Sequence, residues 1–186
     1  MAGNTEHPGD QELIASFRIE GARAAAFTAL VRKYQERLYW HIRRMVVVHN
    51  DADDVLQNVF MKVWKGLEGF REESNLYTWL YRIATNETLT WIEAQKRRAT
   101  VPMDGNEAFY ENRLLAQRDA DPNKIEWKLL QAIAKLPEKQ RIVFNLRYYD
   151  EMPYDEMAQV LDTSAGALKA SYHHAVKKVE QHLSGG

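Results

Sequence analysis

The sequence predicts an all-α fold: two small helical domains joined by a flexible linker, the C-terminal one a helix-turn-helix. Three observations predict it. Apolar residues recur at steps of three or four along most of the chain, the spacing of one helix face. No run of alternating β-branched residues offers a strand. Helical spacing lapses across 99–121, a polar, acidic stretch containing Pro102 and Gly105. At roughly twenty residues it is longer than compact domains usually keep internally.

The elements follow in order. Asp10 is placed to cap a short helix, Gln11–Phe17, and Gly21 breaks the chain after it. From Arg23 to Val48 the positions Phe27, Leu30, Val31, Tyr34, Leu38, Ile42 and Met45 form one long apolar stripe. His49-Asn50-Asp51 interrupts, and Asp51 with Asp54 resembles a cap pair for a third helix, with Val55, Leu56, Val59, Val63 and Leu67 inward. A loop with Gly66, Gly69 and Phe70 leads to an aromatic helix from about Asn75 to Arg98. These make a first domain over 10–98. After the 99–121 linker, Asp121-Pro122 reads as an N-cap followed by Pro at the first helical position. The second domain, 122–183, holds four short helices: Pro122–Lys135, Pro137–Tyr149, Pro153–Leu161 and Ala165–Leu183.

Composition narrows the function. The usage, 45% apolar and 27% charged, is ordinary for a globular chain and excludes wholesale disorder. With no Cys there are no disulfides, thiolate metal sites or cysteine nucleophiles, which suits a reducing cytoplasm. The longest apolar run is Met45–Val48, so no membrane span is expected, and the polar N-terminus offers no signal peptide. The net charge of −1 averages over alternating blocks: −3 for 1–20, +5 for 21–50, −3 for 51–73, +2 for 74–100, −3 for 101–126 and +1 for 127–186. Blocks of one sign mark surfaces for different partners, or simply solvated faces. No phosphate loop, nucleophile elbow or paired-carboxylate arrangement is present, so no catalytic residue or cofactor is predicted. His49, Asp51, Asp53 and Asp54 do not converge as metal ligands, because adjacent helical side chains point about 100° apart. His173-His174 fails for the same reason.

The last two helices, parted by Asp162-Thr163-Ser164, have the geometry that sets a second helix in a DNA major groove. Its outward face carries Ser164, Lys169, Ala170, His173, His174 and Lys177. An αα-hairpin packed on something else has the same spacing. The run Tyr154-Asp155-Glu156-Met157-Ala158 through Lys177-Lys178-Val179, with Leu136-Pro137-Glu138 and Leu146-Arg147-Tyr148-Tyr149-Asp150 before it, resembles the final helix-turn-helix of bacterial RNA polymerase sigma factors. Phe70-Arg71-Glu72-Glu73-Ser74, Thr78-Trp79-Leu80-Tyr81-Arg82 and Asn86 resemble the promoter-melting region of the extracytoplasmic-function (ECF) group in the sigma-70 family. Asp53-Asp54-Val55-Leu56-Gln57-Asn58-Val59-Phe60 resembles that group's polymerase-binding helix. The likeness runs in order over about 10–183.

The resemblance implies a cytoplasmic transcription-initiation subunit, not an enzyme, with core RNA polymerase and promoter DNA as partners and an anti-sigma factor as a further one. Asp53, Asp54, Gln57 and Asn58 would dock on the clamp coiled coil of the polymerase's largest subunit, a carboxylate-and-amide stripe suited to steering onto a basic surface. The loop containing Phe70 and Arg71, together with Asn86, would hold a flipped base of the single-stranded −10 element, where stacking and side-chain hydrogen bonds do the reading. Trp79 and Ile83 read as core, and Tyr81 and Arg82 as core or DNA-facing. Lys96, Arg97 and Arg98 suit phosphate or a solvated helix end. For the duplex −35 element, Lys169, Ala170, His173, His174, Ser164 and Lys177 would face DNA, and Arg147 would reach phosphate. The family commonly has Arg or Ser where Ala170, Ser171, His174 and Val176 stand, so this helix is less basic than usual. The acidic linker threads near the polymerase RNA path or serves as a tether.

Overall fold

A computed structural model describes residues 8–71, 73–99, 106–115 and 125–184, and among them there are nine α-helices and no strand. The first, α1 (Asp10–Phe17), turns Leu13, Ile14 and Phe17 inward. Asp10 is not its cap. Gly9 holds that place, and the Asp10 carboxylate instead accepts from Lys33 Nζ at 2.8 Å and Tyr34 Oη at 2.7 Å, binding α1 to α2. Gly21, at φ +88°, makes the break that a side chain would strain. Helix α2 (Arg23–Val46) buries Leu30, Tyr34, Leu38, Ile42 and Met45 of the predicted stripe, with Phe27 and Val31 partly buried, and ends at Val47, whose φ of 71° places it in the left-handed region.

Helix α3 (His49–Gly66) starts two residues before the expected cap pair, with Val48 at the N-cap. Asp51 sits in its first turn and is ion-paired with Arg113. A single 3-10 turn, Leu67–Gly69, then leads through Phe70 toward α4 (Leu76–Arg98). There Asn75 is a true cap, its Oδ1 accepting from the Thr78 amide at 2.7 Å.

The stretch read as patternless holds α5 (Asn106–Leu115), with Phe109, Tyr110 and Leu114 buried. Its apolar residues fall in adjacent pairs, Phe109-Tyr110 and Leu114-Leu115, between Asn and Glu, which does not stand out as a stripe at helical spacing. The acidic positions Asp104, Asp119 and Asp121, and the Asp121-Pro122 cap, lie outside the described residues. The second half comprises α6 (Ile125–Ala134), α7 (Glu138–Tyr148), α8 (Tyr154–Leu161) and α9 (Ala165–Ser184). Pro137 and Pro153 occupy N-caps rather than first helical positions. Asp162 is left-handed, φ 50°, at the turn between α8 and α9.

The halves are packed together. Leu146, Met152, Met157 and Val160 from the second half join Leu30, Ile42, Tyr81 and Ile92 of the first in one apolar core. A smaller core of Ile133, Leu136, Phe144, Ala175 and Val179 holds α6, α7 and α9 to each other.

Polar groups also cross the boundary between the halves. The Asp150 carboxylate, 5% exposed, accepts from Arg44 Nη2 at 2.5 Å and Tyr81 Oη at 3.3 Å, and lies 3.0 Å from His41 Nδ1. His41 is fully buried, and its Nε2 lies 2.9 Å from Thr85 Oγ1. Lys96 pairs with Glu138 at 2.5 Å. Asn75 Nδ2 donates to Glu156 at 3.3 Å.

Candidate functional site

Three surfaces hold the residues that the sequence singles out. On α3 the burial of Val55, Val59 and Val63 forces Asp53, Asp54, Gln57 and Asn58 outward, and all four are exposed. Asp53 has a loose, solvent-exposed contact with His49 Nε2 at 3.5 Å. Two carboxylates and two amides in two turns make a negative stripe with hydrogen-bonding ends. Met61, half exposed a turn further on, extends it with an apolar foot. No group of three or more His, Asp or Glu able to hold a metal occurs among the described residues.

The second surface surrounds Phe70. Its carbonyl accepts from Arg18 Nη2 at 2.7 Å, and its ring packs on Trp79 with centroids 5.0 Å apart, leaving Phe70 only 6% exposed. Gly66 keeps this packing close: a Cβ there would meet Trp79 Cζ2 at 3.1 Å. Beside them lies a cavity of about 640 Å³. Phe70, Arg71, Trp79 and Arg82 line one side, and Ala158, Gln159 and Asp162 of the helix-turn-helix line the other. That volume is within the range of pockets that take small ligands.

Arg71, Arg82, Asn86, Arg97 and Arg98 are exposed. Asn86 does not line this cavity, so the structure does not gather it with Phe70. Lys96 is partly buried in its pair with Glu138. Of the two readings of Tyr81, core or DNA-facing, the structure takes the first, so its place among the −10 contacts is withdrawn. Tyr81 is 1% exposed, its hydroxyl is on Asp150, and its ring contacts His41, so it belongs to the packing between the halves. Burial, with the Asp150 charge next, raises its pKa beyond the usual tyrosine range.

The third surface is α9. Leu168, Ala175 and Val179 are buried, which leaves Lys169, Ala170, His173, His174 and Lys177 exposed on the opposite side. Ser164 is exposed at the start of α9, its Oγ accepting from the Ala167 amide at 3.3 Å. Lys169 Nζ lies 5.7 Å from the Tyr154 ring centroid. Arg147 is less free than expected: it donates to the Met152 carbonyl at 3.1 Å and stacks over Tyr154, bracing the turn into α8.

Sequence reasoning missed His41, Arg44 and Asp150. The signal for His41 was present, since it falls between Leu38 and Ile42 on the buried side of α2. A histidine there needs polar partners, but its partner Asp150 lies 109 residues away.

An all-helical chain that ends in a helix-turn-helix with an exposed polar face, and that carries an acidic stripe on α3 and an aromatic-basic cleft, has the architecture of a helix-turn-helix protein. The comparisons agree. Sigma-70 region 2 matches residues 30–98, and Sigma-70, region 4 matches residues 126–179. The RNA polymerase sigma-H factor of Pseudomonas aeruginosa is 31% identical over 182 residues, covering 94% of this chain and 93% of the relative. The ECF RNA polymerase sigma-E factor of Escherichia coli is 30% identical over 184 residues, covering 95% of each. Among solved structures, CnrH in complex with the cytosolic domain of CnrY superposes with a TM-score of 0.69 at 23% identity, covering 95% of this chain and 97% of the other. RpoE of Bartonella quintana, solved with the anti-sigma factor NepR, gives 0.66 at 18% identity over 85% and 96%. These last two likenesses establish the fold. The chain belongs to the sigma-70 family, as an RNA polymerase sigma factor of the ECF group.

Proposed function

We propose that this sigma factor binds core RNA polymerase through Asp53, Asp54, Gln57 and Asn58, reads duplex −35 DNA with α9, and melts and holds the −10 element at the Phe70 cleft. It has no catalytic chemistry of its own. The observation that carries this reading is the division of α9 into an apolar face bearing Leu168, Ala175 and Val179 and an exposed face bearing Lys169, His173, His174 and Lys177. A helix held this rigidly can present its outer face to a groove. Residues 10–98 act as the polymerase and −10 domain, 122–183 as the −35 domain, and 99–121 as the acidic connection. An anti-sigma factor is a further partner, in keeping with RpoE of Bartonella quintana, solved with the anti-sigma factor NepR. No described helix is long and apolar enough to cross a membrane.

Reconstitution with core polymerase and run-off transcription over a promoter library tests this. Promoter-specific starts that depend on the chain are expected, with poor duplex binding when polymerase is absent. Strong duplex binding without polymerase and no specific starts would instead make it a stand-alone helix-turn-helix regulator.

A further inference from the structure

A second cavity, of about 170 Å³, lies where α2, α5, α6 and α7 meet. Its walls are mostly apolar, with Trp40, Leu114 and Ile133 prominent, yet among the described residues Arg43, Arg44, Arg141 and Asn145 also line it and no acidic side chain does. Arg141 is 3% exposed, with its guanidinium carbon 3.3 Å from the Tyr110 ring centroid. Its Nη1 has a long 3.5 Å contact with the Leu136 carbonyl, and among the described residues no carboxylate forms an ion pair with it. Glu138, the nearest acid to influence it, is engaged by Lys96. Asn145 is 1% exposed, and neither Nδ2 nor Oδ1 has a partner among the described residues. From α2, Arg44 brings a buried, unpartnered Nε, although its Nη2 is on Asp150.

Buried polar groups are normally paired, and leaving one unpaired is costly, so such a cluster calls for an occupant. Arg141 and Asn145, four residues apart on α7, stand one above the other on the same helix face. Arg44 approaches from across the gap. Donors outnumber acceptors at this point, which selects an anion, and the remaining wall selects an apolar body. An apolar cavity of about 150 Å³ holds a benzene ring.

We propose that this cavity is a binding site for a small aromatic carboxylate of about benzoate's size. The carboxylate accepts from Asn145 Nδ2, Arg44 Nε and Arg141, and the ring fills the space beside Trp40 and Ile133. The Asn145 Oδ1 takes a hydrogen bond from a ligand hydroxyl or from a water that enters with the ligand. Because α2 belongs to the first half and α6 and α7 to the second, occupancy braces the two halves against each other.

The test is an NMR titration of the full chain with three probes: benzoate, benzyl alcohol, which has the ring without the charge, and acetate, which has the charge without the ring. Benzoate is expected to shift the Trp40 indole and Asn145 side-chain amide signals saturably, with the other two at least about tenfold weaker. Asn145→Leu should lose benzoate binding by about tenfold or more while melting no lower than the parent, since it replaces an unpartnered amide with an apolar side chain of similar size. Leu130→Trp, at a half-exposed wall position, should block the cavity and serves if Asn145→Leu does not fold. The proposal is overturned if benzoate gives no saturable shift, if benzyl alcohol or acetate matches it, or if the variant that folds binds benzoate like the parent.

Discussion

Replacing Asp150 with Ala removes the carboxylate that three first-half side chains share, and the consequence can be sized. Asp150 is 5% exposed and Arg44 19% exposed, so the Ala variant leaves one nearly buried guanidinium without its anion. It also strips the Tyr81 hydroxyl and one nitrogen of the fully buried His41 of their partner. Breaking a buried ion pair from one side costs about 3–5 kcal/mol. The exposed fifth of Arg44 can turn to water and recover part of that, which brings the expected loss to about 2–4 kcal/mol. With a urea slope of about 2 kcal/mol per molar, the unfolding midpoint falls by about 1–2 M. Asp150→Asn keeps the shape and one acceptor and should lose about half as much. Glu156→Gln, in the exposed contact with Asn75, is the control and should change stability by less than about 0.5 kcal/mol. Because the cluster joins the halves, Asp150→Ala should also raise the radius of gyration in small-angle scattering above the value of about 16 Å for a compact chain of this length. An unchanged midpoint together with an unchanged radius would refute the reasoning.

Three further outcomes follow from the same structure. Burial raises the pKa of Tyr34, Tyr81 and Tyr110 above the usual 10.0, with Asp10, Asp150 and Glu138 respectively adding to it. Their stabilising contribution is therefore intact below pH 10 and lost as pH rises beyond it, because the unfolded chain deprotonates first; Tyr81→Phe should flatten the alkaline arm of a pH–stability curve. Lys169→Ala should weaken transcription from −35-dependent promoters severalfold without moving the melting temperature, since its side chain is exposed; equal activity on promoters with and without a −35 element would remove Lys169 from the reading face. Asp53→Lys with Asp54→Lys should weaken association with core polymerase about tenfold or more at low salt and less at high salt, as expected of screened charges; a salt-independent loss would point to damage rather than lost steering.

The sequence carried most of the helices because each buries a regular stripe. Val55, Val59 and Val63 on α3 and Leu168, Ala175 and Val179 on α9 fix both the helix and the face it leaves outside. The exposed candidates on those faces were legible for that reason. What the sequence could not show were contacts made by long loop closure. Tyr81 reads as a surface aromatic or as core with equal ease until Asp150, 69 residues later, is brought to its hydroxyl. Phe70 was visible as a loop aromatic, but not the Arg18 bond to its carbonyl, 52 residues back, which holds the loop. Helix α5 was missed because Phe109, Tyr110 and Leu114 pack against partners from both halves rather than against one repeating stripe.

That packing constrains how the protein must work. The −35 and −10 elements are separated by about 25 base pairs, or about 85 Å of duplex at 3.4 Å per step. A compact chain with a radius of gyration of about 16 Å is roughly half that in diameter. Here the Phe70 cleft and the α8–α9 turn face each other across one cavity, so the two surfaces proposed to read DNA lie far closer than the two DNA elements do. Simultaneous reading therefore requires the halves to part, and parting means separating Asp150 from His41, Arg44 and Tyr81 as well as exposing Met152 and Met157. On the proposed reading, polymerase binding at the α3 stripe supplies that free energy, whereas a weakened Asp150 cluster supplies part of it in advance. Asp150→Asn should then let the free protein bind promoter DNA more tightly than the parent does, while gaining little once core polymerase is present. Equal gains in both settings would mean that the closed packing does not limit DNA access.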